Sequence, residues 1–192
     1  MALFRSEYDD GSAQLNFGAV SLRAPKVEDY EDWARLRASS MAFLQPWEPK
    51  WAKDELTHSA FKRRVRRYHE DRLRTSGYAF FVFRQSDQQL VGGCNLSNVR
   101  RGVSQTATLG YWIGVNFQRQ GLTRDAVQAI CNYCFDDLNL HRIEAACIPD
   151  NIPSQQLLEQ SGFVAEGLAR DYLKIADKWQ DHQLFSKLAP SA

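Results

Sequence analysis

The sequence predicts one α+β domain built on a mixed central sheet of about seven strands flanked by four helices. Segments with strand period and helix period alternate as β-α-α-β-β-β-α-β-α-β-β, without internal repeats. The strand ending near Val115 and the strand 142–147 are joined by a helical stretch, a β-α-β unit that must be parallel and right-handed. A length of 192 residues, with 44% hydrophobic and 24% charged residues, suits a single domain with a sizeable core.

The elements follow from local pattern. Residues 1–18 are polar and contain Gly and Ser, which predicts a flexible arm ahead of a domain spanning 19–188. Residues 19–23 alternate as a strand that Pro25 ends. Val27, Tyr30, Trp33, Ala34 and Leu36 recur at helical spacing, giving a helix to about Ser40. Residues 41–53 read as an aromatic loop with Pro46, Trp47, Pro49 and Trp51. Asp54 is placed to cap a long second helix whose apolar face runs through Leu56, Ala60, Val65, Tyr68 and Leu73, with Gly77 as its stop. Three meander strands follow at 78–84, 90–99 and 106–115. Ala126, Val127, Ile130, Tyr133, Cys134 and Leu138 draw a third helix, 142–147 a strand, 153–160 a fourth helix, and 163–172 with 178–188 a closing hairpin.

Composition excludes several classes. The 24 Lys and Arg residues nearly balance 23 Asp and Glu, so no global field draws the chain to DNA or an anionic membrane. No apolar run approaches the ~20 residues of a membrane-spanning helix. Residues 1–10 lack a signal-peptide pattern, and the expected location is cytoplasmic. Cys131 and Cys134 form a C-x-x-C inside a helical pattern, but only His141 is near as a further ligand. Core packing is the expectation for them, and no metal is implied.

The most informative stretch is Tyr111-Trp112-Ile113-Gly114-Val115-Asn116-Phe117-Gln118-Arg119-Gln120-Gly121-Leu122-Thr123, a strand running through a basic, glycine-containing loop into a helix. A helix-opening loop presents unpaired N–H groups and the positive end of the dipole, which suits pyrophosphate. Gly121 allows close backbone approach, the N–H groups of residues 119–123 can form an anion nest, and Thr123 can cap the helix. A bulge in the preceding strand would leave main-chain groups unpaired for a ligand. A second motif is Asn151-Ile152-Pro153-Ser154, followed by Gly162-Phe163. It makes a well-formed helix start and stop, with Asn151 as cap and Pro153 in the first turn.

Together the two motifs resemble the GNAT superfamily of N-acetyltransferases, whose loop reads Gln/Arg-x-x-Gly-x-Gly/Ala; here it is Gln118-Arg119-Gln120-Gly121-Leu122-Thr123, with Thr123 in place of the small residue. The resemblance implies the GNAT fold and acetyl-CoA as co-substrate, with the pantetheine arm on Tyr111, Trp112 and Ile113 and the pyrophosphate on Gln118 to Thr123. Asn151 would contact that arm or the attacking amine. Many members protonate the departing thiolate with a tyrosine four residues after the Ser/Ala position; here that place is Leu158, and Ser154 is the expected donor.

The runs Phe43-Leu44-Gln45-Pro46-Trp47-Glu48-Pro49, Ser97-Asn98-Val99-Arg100-Arg101-Gly102 and Asp171-Tyr172-Leu173, with Trp179 and Asp181-His182, are similar to the RimJ/RimL branch. That implies acetylation of the N-terminal α-amine, alanine for the RimJ type, of a ribosomal protein such as S5. Trp47 and Trp51 offer apolar walls for a peptide, with Tyr172 beside the acceptor, and Glu48 or Asp171 could hold the amine or a water acting as base. A small amine such as a polyamine or antibiotic, or a non-enzymatic ribosome-associated role that only retains CoA binding, are the alternatives. The basic run Lys62-Arg63-Arg64-Val65-Arg66-Arg67 is a solvated helix face or a ribosome contact.

Overall fold

In chain order the elements are β1 Gln14–Phe17, β2 Val20–Arg23, α1 Tyr30–Ser39, α2 Met41–Leu44, α3 His58–Leu73, β3 Tyr78–Arg84, β4 Leu90–Arg100, β5 Thr106–Ile113, α4 Leu122–Asn132, β6 Arg142–Cys147, α5 Ile152–Gln160, β7 Val164–Ile175 and β8 Lys178–Leu188. The computed structural model describes residues 14–190. All eight strands join one sheet in the order β1-β2-β3-β4-β5-β6-β8-β7. It is antiparallel except for β5 and β6, which α4 connects and which run parallel.

The class is the expected one, with one strand and one helix more. The added strand, β1, falls inside the segment expected to be a loose arm, whose residues 1–13 lie outside the described range. It pairs with β2 around Gly18, which takes φ +52°. A Cβ there would meet the Asp125 carboxylate at 2.2 Å, and that carboxylate accepts the Ala19 N–H at 3.0 Å. The added helix, α2, occupies the stretch expected to be a loop.

Several boundaries move for physical reasons. The second long helix starts at His58, where Thr57 caps it through Ala60 N–H at 3.3 Å; Asp54 pairs instead with Arg63. It ends at Leu73, with Thr75 at φ +54° reversing the chain before Gly77 is reached. The helix after the phosphate loop opens at Leu122 with Gly121 in the cap position, so Thr123 lies inside its first turn and does not cap it.

The helices cover both faces of the sheet. Trp33 and Leu36 of α1 and Phe61 of α3 pack on Phe81 and Leu90. On the other face Ala126, Val127, Ile130 and Cys131 of α4 join Val20, Leu22, Phe80, Val91, Leu109 and Ile143. Each fully buried large side chain contributes roughly 1.5–3 kcal/mol, so these two clusters hold the sheet between its helices.

The parallel pair opens partway along. β5 and β6 are in register only at Thr106↔Arg142, Ala107↔Ile143 and Thr108↔Glu144. Beyond Thr108 the strands separate, β5 staying with β4 and β6 with β8. No bulge accounts for this. The β4–β5 register runs unbroken from Ser97↔Thr108 to Gly92↔Ile113, and its irregularity lies at the far end, between Ser97 and Arg100. The main-chain groups expected to be released by a bulge are released by splaying.

Candidate active site

Gly121 and Arg119 shape the phosphate loop. Both have positive φ, +77° and +58°, which curls the chain so that successive N–H groups point the same way. None of the N–H groups of residues 119–123 donates to a protein acceptor among the described residues, and the first bond of α4 is Asp125 N–H to the Gly121 carbonyl, at 3.1 Å. A Cβ on Gly121 would meet nothing within 4 Å, and residues 118–124 border a cleft.

The splayed edge of β5 adjoins this loop. Gly114 N–H donates to the Val91 carbonyl of β4 at 2.8 Å. Because N–H groups alternate along a strand, those of Ile113 and Tyr111 face the opposite edge, into the gap left by β6. They are the main-chain donors an extended ligand arm would meet.

α5 brings the second motif to the same gap. Asn151 Oδ1 accepts Ser154 N–H at 3.2 Å, the capping bond its position predicts. Ser154 Oγ lies 2.6 Å from the phenol oxygen of Tyr111, a partner that the sequence did not indicate because the two are 43 residues apart. Burial pushes the Tyr111 phenol up from its usual range, with the Ser154 hydrogen bond pulling the other way, so it is a neutral O–H donor at physiological pH. Leu158, at the position where the family resemblance implies a tyrosine, is in the core.

Of the residues expected to wall the acceptor, Trp47 and Glu48 line the cleft and Trp51 does not, and the carboxylate is engaged. Glu48 receives both Arg37 nitrogens, at 2.7 and 2.6 Å, and its Oε2 also accepts the Trp51 indole N–H at 2.7 Å. The Arg37 guanidinium sits 4.2 Å from the Trp51 ring centre and 4.9 Å from that of Trp112. The planar cation is thus sandwiched between two indoles while its fork grips the carboxylate. Both carboxylate oxygens of Glu48 are thus already engaged by protein donors.

A cleft of about 760 Å³ collects most of the expected residues. Trp47, Glu48, Tyr111, Trp112, Ile113, Gln118, Arg119, Gln120, Gly121, Leu122, Thr123, Asn151 and Ser154 all line it. Asp171 and Tyr172 do not. Asp171 N–H is held by the Asp181 carboxylate at 2.9 Å, and Tyr172 packs edge-on against His182 with ring centres 5.7 Å apart. His182 itself lines the cleft, as do Phe43, Leu44 and Cys147. A second cavity of about 750 Å³ lies at the other end of β3 and β4, between Arg67, Asn95 and Arg100, away from the loop.

Cys131 and Cys134 are fully buried among core residues, which pushes their thiols up to about 11 and about 12. They are packed as neutral thiols. Among the described residues no group of three His, Cys, Asp or Glu could hold a metal, and no helix is long and apolar enough to cross a membrane. In the basic run, Arg63 pairs with Asp54, Arg64 with Glu55 and Arg66 with Glu70. Lys62 and Arg67 have no acidic partner among the described residues.

A splayed parallel pair, an anion nest at the mouth of α4 and a hydroxyl pair in the gap define a site for a long phosphate-bearing thioester. A family model described as "Acetyltransferase (GNAT) domain" matches residues 20–164, and the chain belongs to that family. It is an acetyltransferase, with acetyl-CoA as its co-substrate, and the unpaired nest fits that ligand's phosphates. The chain is 34% identical to "Probable N-acetyltransferase YjcK" of Bacillus subtilis (strain 168), over 89% of this chain and 94% of that protein. It is 35% identical to "[Ribosomal protein uS5]-alanine N-acetyltransferase" of Escherichia coli (strain K12), over 85% of this chain and 86% of that one. The structure of Mycobacterium smegmatis RimJ in complex with CoA-disulfide superposes with a TM-score of 0.86 at 29% identity, covering 96% of this chain and 91% of that one.

Proposed function

We propose that the chain transfers the acetyl group of acetyl-CoA to the N-terminal α-amine of a protein, with an N-terminal alanine of a ribosomal protein such as S5 as the favoured acceptor. The observation that carries the acceptor class is the state of the cleft's acidic charge. Glu48 is the one carboxylate among the residues lining it, and Arg37 already compensates it. A polyamine or another small polycation needs several uncompensated carboxylates, whereas a single peptide terminus beside Trp47 and Phe43 needs mainly apolar walls. The identity to the uS5-alanine enzyme supports the same acceptor.

In this reading the N–H groups of residues 119–123 hold the pyrophosphate and the freed edge of β5 holds the pantetheine arm, with Asn151 fixing the helix that flanks it. Ile113 N–H polarises the thioester carbonyl. Transfer is direct: a neutral α-amine, whose pKa is about 8, attacks that carbon. Ser154 donates its proton to the departing sulfur and Tyr111, 2.6 Å away, restores the hydrogen bond. Glu48 and Arg37 shape the acceptor wall. Lys62 and Arg67 remain as cations for a weak ribosome contact.

The test is thiol release from acetyl-CoA with a panel of peptides that differ only in their first residue, with spermidine alongside. Turnover of the Ala-starting peptide above the others supports the reading. Turnover of spermidine alone selects a small-amine enzyme, and binding of acetyl-CoA with no turnover of any amine selects a non-catalytic role.

A further inference from the structure

His182 is the one imidazole lining the cleft, the reaction above leaves it unused, and its setting is specific. It is 3% exposed, yet it borders the same cavity as Trp47, Tyr111 and Ser154. A polar ring is costly to bury unless its nitrogens are engaged. Its Nδ1 lies 2.9 Å from the Gln180 carbonyl oxygen. A carbonyl can only accept, so Nδ1 carries the hydrogen, and in the neutral ring Nε2 is left with its lone pair. Nε2 makes no hydrogen bond among the described residues, and it is absent from the polar atoms sealed away without a partner. It therefore meets solvent, and the solvent beside it is that of the cleft. The edge-on contact with Tyr172 fixes the ring plane from β7.

Topology places this nitrogen at the reacting end. β8 pairs with β6 up to Cys147↔Gln183, and His182 is the next residue, just past the end of β6 where the gap is open. The ionisable groups nearby are Tyr172 on β7, Asp181 beside it on β8, Cys147 on β6, Tyr111 on β5 and Glu48, which is paired with Arg37 and whose carbonyl accepts the Ala176 N–H of the β7–β8 turn at 3.1 Å. Asp181 is occupied by the Asp171 N–H and Glu48 by Arg37, while burial raises the Cys147 and Tyr111 acids. Nε2 is the uncommitted base that remains.

We propose that His182 Nε2 is the general base of the transfer, taking a proton from the acceptor ammonium directly or through one water. This rests on the acetyl-transfer reading of the same cleft. The balance closes. The ammonium loses one proton to Nε2, which passes it to solvent. The nitrogen lone pair forms the C–N bond, the C–S bond breaks with its electron pair on sulfur, and Ser154 protonates that sulfur. The second proton of the attacking nitrogen returns to the Ser154–Tyr111 pair.

The test compares wild type with His182→Asn, whose side-chain amide can still donate toward the Gln180 carbonyl but has no basic nitrogen. Expected are a fall of about 100-fold in kcat/KM for an acceptor that the wild type turns over, an acetyl-CoA Kd within about twofold, and loss of the acidic limb of the kcat/KM pH profile. Added imidazole should restore part of the turnover of His182→Ala. Wild-type kcat/KM with an unchanged acidic limb in His182→Asn would overturn the proposal. A measurement on the wild type alone guards against a folding defect. With two acceptor amines of different basicity, an acidic limb that stays put supports an enzyme base, and one that follows the amine overturns it. If the wild type released no thiol with any amine, the acetyl-transfer reading itself would fall, and the proposal with it.

Discussion

The phenol oxygen of Tyr111 stands 2.6 Å from the hydroxyl of Ser154, so a strand residue and a helix residue share one hydrogen bond in the gap between β5 and β6. Leu158, at the position where the family resemblance implies a proton-donating tyrosine, is in the core, and in the proposed reading the Ser154–Tyr111 pair supplies the proton instead. Ser154→Ala should lower kcat by about 100-fold with acetyl-CoA affinity unchanged. Tyr111→Phe should lower it less, and the double variant should be no worse than Ser154→Ala, since the two act as a unit. Steady-state kinetics with calorimetric titration of CoA checks all three. Full turnover by Ser154→Ala would remove the pair from the mechanism.

Gly121 separates ligand binding from folding. It takes φ +77°, and an added Cβ would meet no protein atom within 4 Å. Gly121→Ala should therefore cost only the backbone strain, about 1 kcal/mol, visible as a small loss in urea stability. In the proposed reading the strained φ tilts the N–H groups of the nest away from the phosphates, so acetyl-CoA affinity should fall about tenfold. An unchanged Kd would place the phosphates elsewhere.

Arg37 and Glu48 behave as a structural pair. Arg37 is buried and cannot lose its charge, so Glu48→Ala strands a cation between Trp51 and Trp112. The expected loss of stability is about 3 kcal/mol, measured by chemical denaturation. Glu48→Gln, which keeps the shape, should lose turnover in proportion to stability. A variant of Glu48 with native stability and no turnover would show a direct chemical role.

The buried thiols set a pH dependence at the alkaline side. The Cys131 thiol is raised from 9.0 to about 11 by burial, so the folded state holds a proton that the unfolded chain releases. Its contribution is fully present below about pH 9 and is lost as pH rises toward 11. Across that window unfolding free energy should fall with a slope of about 1.4 kcal/mol per pH unit for this thiol. Cys131→Ala should flatten that slope when urea unfolding is followed at pH 8 and pH 10.

The basic face of α3 keeps two cations without acidic partners among the described residues, Lys62 and Arg67. Changing both to Glu should weaken ribosome co-sedimentation at low salt, while changing Arg63, already paired with Asp54, should matter less. Equal co-sedimentation of the double variant would assign the run to solvation.

Much of the fold and half of the site could be read from residue pattern. Period, caps and glycines are local properties, so the meander at 78–113, the α4 stripe of Ala126, Val127 and Ile130, the nest at 119–123 and the Asn151 cap all appear in the chain before it folds. Local pattern misled where two local signals competed. Asp54 and Thr57 are both good caps, and it is Thr57 that takes the extended backbone of a cap and accepts the Ala60 N–H, while Asp54 pairs with Arg63. β1 was hidden because an edge strand needs no apolar alternation.

What the sequence determined by itself is most of the elements, though not β1 or α2, and the glycine-opened turn of the loop, because each depends on neighbours within a few residues. Tertiary structure decided the partners. It opened β5 from β6, set Tyr111 on Ser154 across 43 positions, spent Glu48 on Arg37, and left His182 facing the cleft in place of Asp171. The physical reason is that a side chain's available charge and protons depend on what packs against it, and packing across a sheet joins residues that no sequence period relates.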